Sequence, residues 1–431
     1  MAQIIRGQIV SFGPSPTDVV HEPKGAIVTE AGRIVWRGSW QALPKQYINA
    51  PVTDYGDKLV LPGLIDVHIH FPQYRMLAAP GRDLLDWLAR FTFPEESRYA
   101  DRGYAEVAAE IFLDRLFQHG TTSALAFCSV HKSCADALFT AAEKRNMALV
   151  TGKTNMDRNA IPAVQDTPES GARESAELYG TWHGKGRLRY AVTPRFAVTS
   201  SDEQLRLSGE LLKSLPGALL QTHISESAGE IAFVKKLFPA AQDYTDVYDS
   251  FGLLGERSLF AHGIHLSERE CARLSETGST VIHCPTSNTF LGSGLMSVAH
   301  LRQPSRPVNL AVATDVGGGT SYSMLATLGE MYKVQMLCGH KPTAFELFHL
   351  ATRGNAQRLH LAGEIGSLDI GKWADITVLD PAATPVLKSR HELSQSLEES
   401  LFSLAILGDD RAVSATYVAG ERVHAQNVQH L

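Results

Sequence analysis

The chain has 431 residues, of which 44% are hydrophobic and 20% charged, and its formal net charge is −6. This length exceeds what one core usually fills, so we expect a large domain and a smaller one. Acidic and basic residues form no block of like charge, which argues against nucleic-acid partners and a polybasic membrane anchor.

The first residues of the chain and its cysteines indicate the cellular compartment. The first residues lack the apolar core and small-residue cleavage site of a signal peptide. No window approaches the ~20 apolar residues that span a bilayer. Five cysteines are scattered without a Cys-x-x-Cys pair. We therefore expect a reduced, cytoplasmic protein with no membrane contact.

The pattern of predicted elements changes along the chain. The first sixty residues contain short alternating apolar runs punctuated by glycine and proline, which predict strands without helices. From residue 59, apolar strands alternate with segments of helical periodicity. The predicted strands are 61–70, 121–127, 148–153, 188–194, 219–225, 258–265, 280–284 and 309–314. The predicted helices include 104–117, 134–145, 169–182, 202–212 and 230–237.

Eight strands, most of them followed by helices, match the rhythm of an α/β protein with a (β/α)₈ TIM-type barrel. A doubly wound sheet is the alternative, but no glycine-rich turn follows the first strand. After residue 361 strand patterns return, so both chain ends are expected to pair into one small β domain. The predicted boundaries are 1–61 and 366–431 for the two parts of that domain and 62–365 for the barrel.

Candidate metal ligands stand at the C-terminal ends of the strands, where barrel active sites form. Strand one ends in His68 and His70, strand five in His223 and strand eight in Asp315. Residues i and i+2 of a strand share a face, so His68 and His70 point the same way. Alone, His223 would suit a core histidine and Asp315 a helix N-cap. Together the four predict a catalytic Zn²⁺ site that leaves room for water.

Three residues at this site are expected to take part in catalysis. A bound metal lowers the pKa of water from ~16 towards neutrality, and Asp315 can accept the released proton. Glu226 can carry a proton to a ring nitrogen and later towards a leaving group, although a helix N-cap is its alternative role. His262 is expected to polarise the attacked centre or to steady the hydroxide.

The motifs around these residues resemble the amidohydrolase superfamily, in its single-metal deaminase branch. They are Pro-Gly-Leu-Ile-Asp-Val-His-Ile-His at 62–70, His-Ile-Ser-Glu at 223–226, Ala-His at 261–262, His-Cys-Pro-Thr-Ser-Asn at 283–288 and Thr-Asp at 314–315. A narrower resemblance, to the guanine-deaminating members, covers nearly the whole chain. Its motifs are His-Phe-Pro-Gln at 70–73, Leu-Asp-Trp-Leu at 85–88, Thr-Phe-Pro-Glu at 92–95, Met-Asp-Arg-Asn at 156–159, Thr-Pro-Arg-Phe at 193–196 and Leu-Gly-Asp-Asp-Arg at 407–411.

The resemblance implies hydrolysis of guanine to xanthine and ammonia in purine catabolism, with one Zn²⁺ per subunit of a homodimer. It assigns the metal to His68, His70, His223 and Asp315, and it assigns substrate contacts to His70, Gln73, Arg195, Phe196, His223, Glu226 and Asp315. Arg195 offers fixed donors to the O6 carbonyl of guanine, and Gln73 offers an amide to the purine edge. Phe71, Trp87 and Phe196 could cover the faces of the ring.

Other functions stay open at this point. The same fold could deaminate a pterin, an oxidised guanine or an s-triazine, or it could be a metal-free scaffold. No lysine ends the fourth strand, which favours one metal over two. The chain also lacks the His-x-Glu and Pro-Cys-x-x-Cys signature of the unrelated zinc deaminases. His283 departs from the apolar residue expected before Cys284.

Overall fold

The computed structural model describes residues 1–426, and its strands form two sheets. They are β1 (Gln3–Phe12), β2 (Val19–Glu30), β3 (Arg33–Ser39), β4 (Val52–Pro62), β5 (Leu64–His70), β6 (Thr121–Phe127), β7 (Ala148–Gly152), β8 (Thr154–Asn155), β9 (Leu188–Pro194), β10 (Leu219–Ile224), β11 (Ser258–His262), β12 (Thr280–His283), β13 (Asn309–Val312), β14 (Ile376–Leu379), β15 (Val413–Val418) and β16 (Glu421–Ala425).

The helices lie mainly between the strands of the second sheet. They are α1 (Leu84–Trp87), α2 (Phe93–Ser97), α3 (Arg102–Gln118), α4 (Lys132–Lys144), α5 (Pro168–Trp182), α6 (Asp202–Ser214), α7 (Ala228–Leu237), α8 (Tyr244–Ser250), α9 (Glu268–Thr277), α10 (Pro285–Phe290), α11 (Val298–Leu301), α12 (Met324–Leu337), α13 (Ala344–His349), α14 (Asn355–Arg358), α15 (Pro385–His391) and α16 (Leu397–Leu407). In the described range 1–426, none of them is both long enough and apolar enough to cross a bilayer.

The two chain ends form one seven-stranded sheet, as the strand patterns predicted. Its order is β16-β15-β14-β4-β1-β2-β3. Strand β4 pairs in parallel with β1 on one side and antiparallel with β14 on the other. The N-terminal and C-terminal segments therefore meet at the centre of the sheet, where apolar residues such as Ile9, Val60 and Val378 are buried.

The second sheet runs in the order β5-β6-β7-β9-β10-β11-β12-β13, and the short β8 pairs with β9. Every neighbouring pair in it is parallel. Buried Asp66 closes the gap between first and last strands, since its carboxylate accepts from the backbone N–H and the hydroxyl of Thr314. The (β/α)₈ prediction is confirmed, and the doubly wound alternative is wrong.

Gly63 marks the passage from one sheet to the other. Its N–H donates to the carbonyl of Asp375 in the small domain, at 2.9 Å. A Cβ atom at this position would lie 2.0 Å from Oγ1 of Thr122, so a side chain cannot be accommodated. The single strand predicted over 61–70 is therefore two strands, because residues 61 and 62 belong to β4 and the barrel strand begins at Leu64.

Candidate active site

His68 and His70 lie buried at the C-terminal end of β5. The pairing of β5 with β6 slips between Asp66 and Ile69, an irregularity of the kind that re-aims side chains at barrel rims. His223 comes from the end of β10, and Asp315 follows β13. The predicted ligands thus converge from the first, fifth and eighth barrel strands.

The spacing of these side chains fits one small cation. Nε2 of His68 and Nε2 of His70 each lie 3.3 Å from Oδ1 of Asp315. Nε2 of His70 lies 3.2 Å from Nε2 of His223. Tetrahedral ligands at zinc bond lengths of 2.0–2.1 Å stand about 3.4 Å apart. These three separations therefore match those around a tetrahedral metal, and the three histidines also form one group whose donor atoms lie within 4.8 Å of one another.

The protonation of these groups also suits a metal. Burial lowers the pKa of His70 to about 3 and that of His223 well below its usual value, so both rings keep a free lone pair. Burial opposes charge on Asp315, but the adjacent His68 and His70 rings lower the pKa of that carboxyl well below its usual range. Both ring nitrogens of His68 are buried without a hydrogen-bond partner in residues 1–426. Such unpartnered atoms are costly unless a ligand satisfies them.

A main-chain carbonyl sets the orientation of His223. Its Nδ1 lies 2.7 Å from the backbone oxygen of Arg195, and a carbonyl can only accept, so Nδ1 carries the proton. Nε2 is left as the lone-pair nitrogen facing His70. A partner of this kind on the second nitrogen is the usual way in which proteins orient a metal-binding histidine.

A second group of possible ligands overlaps the first. His68, His262, Cys284 and Asp315 also bring donor atoms within 4.8 Å of one another. Cys284 is buried, and its thiol pKa is raised well above its usual value by burial and then by the carboxylate of Asp315. Cys284 would have to release this proton to bind a metal, whereas the low pKa values of His70 and His223 leave those rings neutral, which favours the histidine-rich set.

Glu226 faces the same space from the loop after β10. It is not the N-cap of α7, because that position belongs to Ser227, whose side chain accepts from Glu230. Oε1 of Glu226 accepts from the hydroxyl of Ser293 at 3.1 Å. Burial and the carboxylate of Asp315 raise the pKa of Glu226 to about 8. A carboxyl group that holds a proton near neutrality suits general acid–base chemistry.

His262 lies between two carboxylates at the end of β11. Its Nε2 is 3.4 Å from Oε2 of Glu226 and 3.7 Å from Oδ2 of Asp315. Its Nδ1 lies 2.8 Å from Oδ1 of Asn288, within α10. The backbone of His262 has φ +73° and that of Asp315 φ +53°, a region that non-glycine residues enter mainly where surrounding structure imposes it.

These groups surround one small cavity. Eight of the nine predicted site residues line it, and the ninth, His68, is fully buried beside them. Apolar lining comes from the following side chains: Leu84, Trp87, Leu88, Phe196 and Leu291. Phe71 was expected here, but it instead packs against Tyr99 and Phe112 in the core. A wider groove lies at the opposite, N-terminal end of the strands, away from both groups of possible ligands.

One fully buried side chain behind two of the cavity-lining residues was not predicted from the sequence. Glu96, on α2, accepts from Nε2 of Gln73 at 2.8 Å and from Nη1 of Arg195 at 2.7 Å. The motif Thr-Phe-Pro-Glu at 92–95 ends one residue earlier, at Glu95, which instead accepts from the hydroxyl of Tyr104 and pairs with Arg98. Helical periodicity could have found Glu96, since it lies three residues after buried Phe93 on the same face.

Residues 59–423 match the amidohydrolase family. The chain belongs to this family. Guanine deaminase of Escherichia coli (strain K12) is 45% identical over 404 residues, which are 94% of this chain and 92% of that protein.

Solved structures agree with the sequence relatives. The structure of E. coli guanine deaminase has a TM-score of 0.95 at 41% identity and covers 99% of this chain and 100% of that one. Guanine deaminase from C. acetobutylicum, with guanine bound in the active site, has a TM-score of 0.89 at 28% identity and covers 98% of this chain and 100% of that one. The resemblance predicted from the motifs is confirmed.

Proposed function

We propose that the protein hydrolyses guanine to xanthine and ammonia, and so serves purine catabolism. The observation that carries this proposal is the position of Glu226, which faces the same small cavity as the clustered His70, His223 and Asp315. Relatives named guanine deaminase align over nearly the whole chain, and one solved relative holds guanine in its active site.

We propose one Zn²⁺ per subunit, held by His68, His70, His223 and Asp315. Their buried, closely spaced donors and the neutral rings of His70 and His223 support this assignment. A divalent metal bound there lowers the pKa of water and so supplies a nucleophile at neutral pH.

The proton transfers that the reaction requires indicate a role for Glu226. The water oxygen forms a bond to C2 of guanine, and the bond from C2 to the 2-amino nitrogen breaks. The water protons must reach a ring nitrogen and the departing amine, which leaves as ammonia. The carboxyl group of Glu226 lines the cavity, so it can deliver and retrieve these protons. His262, 3.4 Å from Glu226, steadies the attacking water.

Substrate recognition falls to other side chains that line the same cavity. Arg195 offers N–H donors to the O6 carbonyl, while Gln73 meets the purine edge with its amide. Phe196 and Trp87 cover the ring from the apolar side of the cavity. Adenine carries a donor amine at C6 where guanine has an acceptor, so Arg195 disfavours it.

The experiment that tests this function compares kcat/KM across aminated rings. Zinc-loaded protein is given guanine, adenine, a pterin, 8-oxoguanine and an amino-s-triazine, and ammonia release is measured. Guanine should be strongly preferred over adenine, because adenine carries no amino group at C2 and presents a donor where Arg195 requires an acceptor. A higher kcat/KM for any other ring would assign the site to that ring instead.

We also propose that the protein is a cytoplasmic homodimer. All five cysteines are free, and four of them are buried, as suits a reducing compartment. The homodimer rests on the family resemblance. Light scattering behind a sizing column would report twice the 47.0 kDa chain mass, and a monomer mass would reject the dimer.

A further inference from the structure

Glu96 is the fully buried carboxyl group that contacts both polar residues of the purine-facing wall. Nη1 of Arg195 lies 2.9 Å from its Oε1 and 2.7 Å from its Oε2. Nε2 of Gln73 donates to the same Oε1 at 2.8 Å. Glu96 is 0% exposed and Arg195 only 3%. A charge pair at this depth is strongly coupled, and removing one partner leaves the other charge without compensation.

The contacts of Gln73 fix which way its amide faces. The nitrogen donates to Glu96, and Oε1 accepts from the N–H of Gly317 at 3.3 Å. The reversed amide would set oxygen against the Glu96 carboxylate and nitrogen against an N–H donor. Both contacts would then be repulsive, so the amide holds one orientation.

The contact between Glu96 and Arg195 leaves part of the guanidinium free. Within residues 1–426, every hydrogen bond of the Arg195 side chain runs through Nη1. The remaining donors on Nη2 and Nε stay available to a ligand in the cavity that Arg195 lines. The ring of Phe93, on the same helix as Glu96, lies 5.7 Å from the guanidinium carbon. Helix α2 therefore supports Arg195 through both an ion pair and an aromatic contact.

We propose that Glu96 is a positioning and specificity residue for the purine, which rests on the function proposed above. It orients the donors of Gln73 and Arg195, and it balances the Arg195 charge so that the wall accepts a neutral base. Without this carboxylate, the wall would carry an uncompensated cation and would favour an anionic ring. Xanthine, the product, is a stronger acid than guanine. Glu96 therefore also favours the substrate over the product.

Glu96→Gln is the decisive variant, because it keeps the shape and removes the charge. We expect KM for guanine to rise at least about tenfold, since one partner of a buried hydrogen-bonded charge pair is lost. The kcat should change far less, because Glu96 does not touch the reacting atoms. Inhibition by xanthine, measured above neutral pH, should become stronger relative to guanine binding. Glu96→Asp, which keeps the charge, should recover part of the loss in KM.

Glu95→Gln is the matched control, since Glu95 faces Tyr104 and Arg98 on the other side of the same helix. It should keep wild-type KM and wild-type inhibition by xanthine. If Glu96→Gln fails to fold, Glu96→Asp carries the test through its own KM and xanthine inhibition. Suppose that the wild type deaminates guanine, and that the folded Glu96 variants keep the wild-type KM and the wild-type inhibition by xanthine. This result overturns the role of Glu96 and leaves the proposed function standing. Wild type that releases no ammonia from guanine overturns the proposed function itself.

Discussion

The side-chain oxygen of Asn288 lies 2.8 Å from Nδ1 of His262. Both side chains are buried. With Nδ1 as the donor, Nε2 of the ring is left as the nitrogen that faces Glu226 at 3.4 Å. Asn288 therefore sets both the tautomer and the orientation of a ring that stands beside the proton-carrying carboxyl group.

Replacing this acceptor should slow turnover. Asn288→Leu should lower kcat by about 10–100-fold, the usual cost of losing a partner that orients a functional histidine. Asn288→Asp keeps an oxygen acceptor and should recover part of the rate. Steady-state kinetics with guanine would measure both effects. Asn309→Leu, which removes a bond to the carbonyl of Gly278 remote from the site, is the control. An unchanged kcat in Asn288→Leu would remove Asn288 from the site.

Metal content can separate the two overlapping groups of possible ligands. His70 belongs only to the histidine group and Cys284 only to the other. We expect His70→Ala to lose most of the bound zinc and Cys284→Ala to keep one ion per chain, measured by elemental analysis after dialysis. In the wild type, zinc at 100 times its Kd should add about 2.7 kcal/mol to the free energy of unfolding. Zinc lost from Cys284→Ala but kept in His70→Ala would reverse the ligand assignment.

Glu226 should contribute to the pH dependence of stability in the metal-free protein. Burial and the carboxylate of Asp315 raise the pKa of Glu226 from its ordinary 4.5 to about 8. Between these values the folded protein binds a proton that the unfolded chain has released, so its free energy of unfolding falls as pH rises. In Glu226→Gln, the free energy of unfolding should fall less between pH 4.5 and pH 8, by on the order of a few kcal/mol.

Denaturant unfolding from pH 4.5 to pH 8 would measure this difference. The exposed Glu169 offers a matched control, because Glu169→Gln changes a carboxyl group that makes no buried contact. Equal slopes for the wild type and for Glu226→Gln would show that Glu226 does not hold its proton in the folded state.

The closure of the barrel gives a prediction about stability alone. The buried carboxylate of Asp66 accepts hydrogen bonds from Thr314 and from the N–H of His68. Asp66→Ala would leave these donors without an acceptor. The free energy of unfolding should fall by about 1–3 kcal/mol for each buried donor that loses its partner. Asp54→Ala, which breaks an exposed pair with Arg6, should cost at most about 1 kcal/mol. Similar unfolding midpoints for the two variants would contradict the closing role of Asp66.

The positions of His68, His70, His223 and Asp315 were predictable because parallel strands bring their C-terminal ends together. The period of two places alternate residues on one face, and helical segments separate the strands. These rules place strand-end residues without any knowledge of loop conformations. They also placed Glu226 near the site, since it lies only three residues past a strand-end ligand.

Glu96 was not predictable by the same rules, because it reaches the site from a long helical excursion after β5. Between α1 and α2 the chain makes a π-helical turn over Leu88–Thr92. Pro94 follows it and has no N–H to continue the α-helical bonding. After that turn, α2 places Glu96 against Gln73 and Arg195. The prediction that Phe71 covers the substrate ring was wrong for a related reason. The chain turns immediately after His70 and directs the Phe71 ring into the core.

The most direct test of the account is the stoichiometry of the reaction with guanine. Zinc-loaded wild-type protein should release one ammonia and form one xanthine for each guanine consumed, and Glu226→Gln with the same zinc content should lose most of this turnover. Absence of ammonia and xanthine from the zinc-loaded wild type would contradict the central claim.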